Sequence, residues 1–178
     1  MPGAVYLESN DVTLRTIEEE DLPFLRDAIN DPAVRRYLVR RGPYNMAQER
    51  AYFEEVVADK GTLSLLVCRD GEPAGTVGLQ TLSSPDGSSE IGLFLAEEYW
   101  EEGLGTEAAR LVTDHAFRER DRHRVEARVL EGNEASMALF ESLGYRHEGT
   151  MREAAFRDGE HVDLHWYAML AEEWLDGR

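Results

Sequence analysis

Lysine is almost missing from this chain: Lys60 is the only one in 178 residues, and 19 basic residues stand against 36 acidic ones for a formal net charge of −17. A surface of that sign repels nucleic acid and anionic lipid, so neither is an expected partner. Cysteine is nearly as scarce. With Cys68 alone, no disulfide can form within the chain, and its position in a strand-like run reads as buried packing rather than as a nucleophile. No apolar run approaches membrane-spanning length, and the opening Met1-Pro2-Gly3 lacks a signal-peptide pattern, which leads to the expectation of a reducing, cytoplasmic setting. Internal repeats, linkers and low-complexity segments are also lacking. What remains, 42% hydrophobic residues in 178, suits one domain over residues 1–178 with a real core.

The stretch from Glu90 to Ala108 organises the chain. Glu90-Ile91-Gly92-Leu93-Phe94-Leu95 reads as a strand, Tyr99-Trp100 as part of a short connection, and Gly103-Leu104-Gly105-Thr106 as a glycine turn opening a helix. Leu104, Ala108, Leu111, Val112 and Ala116 then recur at helical spacing. A glycine turn feeding a helix start leaves unpaired N–H groups aimed at one spot, which the helix dipole makes favourable for phosphate. A P-loop would need Gly-Lys-Ser/Thr, and no lysine is present there. Gly103-Leu104-Gly105-Thr106-Glu107-Ala108 formally satisfies the dinucleotide pattern G-x-G-x-x-A, but that motif wants a tight strand-to-helix turn early in a βαβ unit. The third reading is a cradle for the pyrophosphate of acetyl-coenzyme A.

Around that centre, residues 5 to 17 read as a first strand with a kink near Asn10-Asp11. Asp21 is placed to cap a helix that has Pro23 in its first turn and Leu22, Leu25 and Ile29 on its buried face. Ala33 to Arg41 reads as a short second helical piece. Asn45 opens a further helix with Gln48 in capping-box register and Tyr52, Phe53, Val56 and Val57 on its core face. Thr62 to Cys68 and Ala74 to Leu82 are strands joined at Asp70-Gly71, and Ser83 to Ser88 is a loop. Beyond the central helix, Val125, Ala127 and Val129 alternate with Glu126 and Arg128, which predicts a strand with one wet face. Asn133 opens a short helix ending at Gly144, and strands at roughly 145 to 155 and 161 to 170 meet at Asp158-Gly159.

This order of elements, with Asp31-Pro32-x-Val34, Tyr99-Trp100-x-x-Gly103, Thr106-Glu107-Ala108, Asn133-x-x-Ser136, Leu143-Gly144-Tyr145 and Glu173-Trp174 in sequence, resembles the GNAT superfamily of N-acetyltransferases. It is most similar to the RimJ/RimL-like branch. The resemblance implies a mixed α/β fold: a largely antiparallel, twisted sheet of about seven strands with about four helices. It implies acetyl-CoA as co-substrate, with no metal, and an amine acceptor, either a protein N-terminal α-amine or a small molecule; dimers are common in the branch. The backbone from Gly103 through Leu104 and Gly105 to Thr106 would hold the pyrophosphate, with Trp100 where many relatives carry Arg or Gln. The main chain of Leu93, Phe94 and Leu95 would pair with the pantetheine arm and polarise the acetyl carbonyl. Asn133 and Ser136 would approach the same arm.

Glu90 stands where several family members carry a general base, a role that calls for a carboxylate near the amine, directly or through water. Seven residues after Asn133, where many relatives place a tyrosine that protonates the leaving thiolate, this chain has Phe140. Ser142, and less readily Tyr145, is a candidate substitute, and solvent could equally supply the proton. A second reading, kept open by Phe140, is a GNAT-fold protein that binds coenzyme A without catalysis. Arg35, Arg36, Arg40 and Arg41 form the one dense basic run, suited either to an anionic group of the acceptor or to ion pairs with the acidic surface. His161, Asp163 and His165 share one strand face but lack further ligands.

The acidic, lysine-poor composition also resembles proteins from salt-loaded, halophilic cytoplasms, where counterions screen self-repulsion. The urea unfolding midpoint is accordingly expected to rise between dilute buffer and molar potassium chloride; a midpoint indifferent to salt would remove this reading.

Overall fold

A computed structural model describes residues 3–39, 42–81 and 87–177. Its centre is a sheet of eight strands in the order β1-β2-β3-β4-β5-β6-β8-β7. In chain order these are β1 (Val5–Glu8), β2 (Thr13–Thr16), β3 (Leu63–Arg69), β4 (Glu72–Thr81), β5 (Ser88–Leu95), β6 (Arg124–Leu130), β7 (Arg146–Arg157) and β8 (Glu160–Leu170). The helices are α1 (Leu22–Asn30), α2 (Pro32–Arg35), α3 (Met46–Tyr52, continued by a wider turn over Phe53–Val57), α4 (Leu104–Arg118), α5 (Glu134–Ser142) and α6 (Ala171–Asp176). Every strand pair is antiparallel except β5 with β6.

Strand β3 shows why the sheet is covered on both faces. Its residues Leu63, Leu65, Leu66, Val67 and Cys68 are all buried, a nearly continuous apolar run of the kind that fits a central strand. Leu65 and Val67 join the cluster under α4, together with Val77, Ile91, Ala108, Val112 and Ala116. Leu66 and Cys68 point the other way, into a smaller cluster with Ile17, Leu22 and Leu25 under α1. Burial pushes the Cys68 thiol up to about 11, so it is a packing residue and a poor nucleophile.

Several local expectations are met. Asn45 Oδ1 accepts from the N–H groups of Ala47 and Gln48, both at 3.0 Å, and Gln48 reaches back to the Asn45 N–H. Asp70 and Gly71 turn the β3–β4 hairpin with φ of 50° and 86°. Other expectations are corrected. The first strand is two, because the Asn10-Asp11 kink is a full reversal that pairs Glu8 with Thr13; the second helical piece is shorter than expected, ending as a helix at Arg35, and α6 is added. Asp21 does not cap α1. A 3-10 turn over Glu19–Asp21 precedes it, and the Asp21 carboxylate accepts instead from the N–H of Glu18 at 2.9 Å. Strand β6 is not wet at Glu126, which is 8% exposed and held by Arg124 at 3.1 Å. The calls on Arg40, Arg41 and Ser83 to Asp86 lie outside the described residues.

The feature that positions the site is the short β5–β6 ladder. It pairs Ser88 with Arg124, Ser89 with Val125 and Glu90 with Glu126, and then ends, while β5 stays bonded to β4 as far as Leu95. Two parallel strands therefore diverge after Glu90. On the closed side β4 approaches β5 so tightly at Gly75 that an added Cβ would overlap the Phe94 carbonyl oxygen and lie 2.7 Å from Leu95 Cα. Gly75→Ala is expected to cost about 1–3 kcal/mol through that overlap, read as a lowered urea midpoint. An unchanged midpoint would show that β4 and β5 can separate there freely.

Candidate active site

The divergence opens two adjoining clefts. The larger, about 640 Å³, runs from β5 to the start of α4 and across to α5. Its walls include Leu93, Phe94, Leu95 and Trp100 on one side and Gly103, Leu104, Gly105 and Thr106 at the helix start. Asn133, Ser136 and Ser142 close it from α5. Glu90 and Phe140 belong instead to the smaller cleft, about 360 Å³, which lies under α1 and α3.

The helix start is built as a cradle. Gly103 precedes α4 with φ of 79°, a left-handed conformation that suits glycine. The first helical bond of the turn runs from the N–H of Glu107 to the Gly103 carbonyl at 3.0 Å. The N–H groups of Leu104, Gly105 and Thr106 lie ahead of it and are free to meet an anion. A Cβ at Gly103 would meet nothing within 4 Å, while one at Gly105 would press on Leu139 and Leu93 at 3.2 and 3.3 Å. The residues present therefore fit a pyrophosphate. Trp100 is fixed beside the cradle, its indole N–H donating to the Leu95 carbonyl at 2.9 Å. Asn133 does cap α5, its Oδ1 accepting from the Ser136 N–H at 3.2 Å, and the residue lines both clefts.

In the smaller cleft Glu90 is not alone. Arg128, from β6 across the gap, donates through Nε and Nη2 to the two carboxylate oxygens at 2.9 and 2.7 Å. Arg128 also lies 5.7 Å from the Trp166 ring. Sequence spacing did not reveal this partner; the only hint is that Arg128 shares the outward register of β6 with Arg124 and Glu126. The rest of the cleft is largely apolar, with Ile17, Leu22, Leu25 and Ile29 on one side and Phe53 and Val57 on another. Tyr52, Phe53 and Val57, expected as core, are half-buried because they form this wall. Phe140 closes the floor at 2% exposure, its ring 5.1 Å from that of Tyr145 and 6.5 Å from that of Tyr167. Tyr37, which sequence reading passed over, lines both clefts.

The other expected groups are engaged elsewhere or stand apart from the two clefts, apart from Ser142, which lines the larger one. The Tyr145 hydroxyl is buried and hydrogen-bonded to Thr113 Oγ1 at 2.7 Å, and burial raises its pKa well above the ordinary phenol range. Ser142 donates to the Leu139 carbonyl at 2.7 Å. Arg35 and Arg36 are exposed and border a separate surface hollow with Phe156 and Arg157. His161, Asp163 and His165 do not converge: Asp163 accepts from the Glu153 N–H at 2.8 Å, His165 lies 3.2 Å from His147, and His161 meets the Phe156 ring. Among the described residues no group of three metal-type ligands comes together.

These features place a glycine-built helix start and a paired carboxylate in two adjoining clefts at a strand divergence. Residues 11–146 match the acetyltransferase (GNAT) domain, and the chain belongs to that family. It is 28% identical to the spermidine N(1)-acetyltransferase of Escherichia coli K12 over 176 residues, covering 98% of this chain and 91% of that protein. The crystal structure of spermidine N-acetyltransferase from Vibrio cholerae in complex with CoA and spermine matches with a TM-score of 0.87 at 21% identity, over 94% of this chain and 99% of that one. RimL, a ribosomal L7/L12 alpha-N-protein acetyltransferase in complex with coenzyme A, matches with a TM-score of 0.84 at 20% identity, over 96% and 99%. At such identities the structural likeness is one of fold. The protein is thus an N-acetyltransferase that takes acetyl-CoA as co-substrate and an amine as acceptor.

Gly103→Ala is expected to destabilise the chain by about 1–2 kcal/mol through the left-handed backbone alone and to raise the dissociation constant for coenzyme A several-fold. Calorimetric titration checks the second effect; unchanged affinity would place the pyrophosphate elsewhere.

Proposed function

We propose that this enzyme acetylates a protein N-terminal α-amine, in the manner of the RimJ/RimL-like branch, by direct attack of the amine on the thioester. The observation that supports this acceptor is the make-up of the smaller cleft. Its walls are mainly aliphatic and aromatic, and the Glu90 charge is matched by Arg128. A peptide N-terminus presents one ammonium beside a side chain that such walls can bury. A polyamine brings several separated cations that aliphatic walls would desolvate without compensation. The buried carboxylate of Glu49 in the same wall keeps a small amine as the second acceptor class.

In this reading the backbone amides at Gly103 to Thr106 hold the pyrophosphate, and the main chain of Leu93 to Leu95 aligns the pantetheine arm and thioester. Trp100, Asn133 and Ser136 line the arm. Glu90, kept in place by Arg128, takes the ammonium proton directly or through water. In the same reading the enzyme works in the cytoplasm, with no nucleic acid and no membrane among its partners, and its oligomeric state is open.

Acetyl transfer is to be followed by mass spectrometry in molar potassium chloride with acetyl-CoA and a mixed panel of N-terminal peptides, polyamines and amino acids. Peptides with apolar first residues are expected to gain acetyl, and Glu90→Gln is expected to slow transfer by about 10²-fold. A wild-type rate in the variant would retire Glu90 as base and leave the enzyme standing. Preference for polyamines would replace the acceptor, and coenzyme binding without transfer to any acceptor would favour a catalytically silent coenzyme A-binding protein.

A further inference from the structure

Loss of the C–S bond leaves a thiolate that must regain a proton, and position 140 holds a phenylalanine. Neither nearby substitute is well placed: the Tyr145 hydroxyl is sealed against Thr113, and Ser142 has its proton committed to the Leu139 carbonyl. The thioester lies where the coenzyme cleft meets the acceptor cleft, a premise that rests on the function proposed above. Six residues line both clefts: Tyr37, Leu38, Leu93, Phe94, Asn133 and Ser136. Three of them carry polar side chains. An asparagine amide is no proton donor at neutral pH, and a serine hydroxyl is far weaker as an acid than a thiol. A phenol, with an ordinary pKa of about 10 against about 8.5 for a thiol, is the one group whose acidity approaches that of the leaving sulfur.

Tyr37 is also held in place. Just past α2, its N–H donates to the Val34 carbonyl at 3.1 Å, and its ring meets that of Trp100 edge-on at 6.0 Å. Trp100 is in turn tied to Leu95 on the coenzyme strand. The Arg36 guanidinium lies over the same ring, 5.7 Å from its centre. Among the described residues the Tyr37 hydroxyl has no hydrogen-bond partner, so its proton is not engaged elsewhere.

We infer that Tyr37 is the proton donor to the coenzyme A thiolate, taking from the α1–α2 side of the cleft the role that Phe140 leaves empty on the α5 side. The amine nitrogen bonds to the acetyl carbon, the C–S bond breaks with its electron pair on sulfur, and the Tyr37 O–H proton passes to that sulfur. The phenolate recovers a proton from water in the open cleft, and the amine's surplus proton leaves by way of Glu90 or water.

The test compares wild type with Tyr37→Phe in two ways, after equal urea midpoints establish that both are folded. The first needs no acceptor: the affinities for coenzyme A and desulfo-coenzyme A are measured by calorimetry. The wild type is expected to prefer the thiol form several-fold and Tyr37→Phe to lose that preference. The same preference in both proteins would overturn the contact. The second is steady-state transfer with the acceptor found above, where kcat is expected to fall at least ten-fold with KM for acetyl-CoA within two-fold. A smaller fall would overturn the donor role. If wild type transfers acetyl to nothing, the proposed function fails, and the thiol preference still decides whether Tyr37 touches the sulfur.

Discussion

The parting of β5 from β6 after Glu90 is the constraint on which the rest of the molecule turns. Three residue pairs hold the two strands together, and beyond them β5 keeps only its β4 neighbour. A half-bonded strand inside a sheet is costly unless something else meets its exposed N–H and C=O groups. The clefts sit on that unmet edge, and the backbone left bare beside Leu93 to Leu95 is shaped to receive an extended partner as an added strand. On the other edge β4 stays paired with β5 as far as Leu95, with Gly75 allowing the close approach there.

The same parting brings two carboxylates side by side, since Glu90 and Glu126 are paired across the last rung. Like charges placed opposite one another in a sheet repel. Here arginines of β6 on either side take one each: Arg124 holds Glu126 and Arg128 holds Glu90. Arg124 also grips Glu148 on the edge strand β7, so the charge pattern ties β5, β6 and β7 together. The Glu90 carboxylate is thereby fixed in direction by a bidentate guanidinium, a geometry that gives specificity as well as attraction.

What was legible in the chain was local. The glycine turn, the apolar face of α4, the Asn45 capping box and the Asp70-Gly71 hairpin depend on residues within a few positions of each other, and each stands where the sequence suggests. The clefts gather the expected coenzyme residues because those lie on the elements flanking the strand divergence. The misses are contacts between distant segments. Arg128 meets Glu90 from 38 positions away, and Tyr37 reaches Trp100 through folding alone. Glu126 is buried by its strand neighbours, which alternation cannot foresee. Asp21 turned its carboxylate back to Glu18 because a 3-10 turn, not α1, begins there.

The scarcity of lysine has a meaning beyond surface charge. An enzyme that holds an activated acetyl group next to a cleft built for amines is a hazard to its own side chains. Here the whole chain offers a single ε-amine, Lys60, on an exposed turn ahead of β3 and outside both clefts. Arginine, too basic to lose its proton and attack a thioester, carries nearly all the remaining positive charge. Acetylation of the enzyme's own side chains is thereby confined to one position.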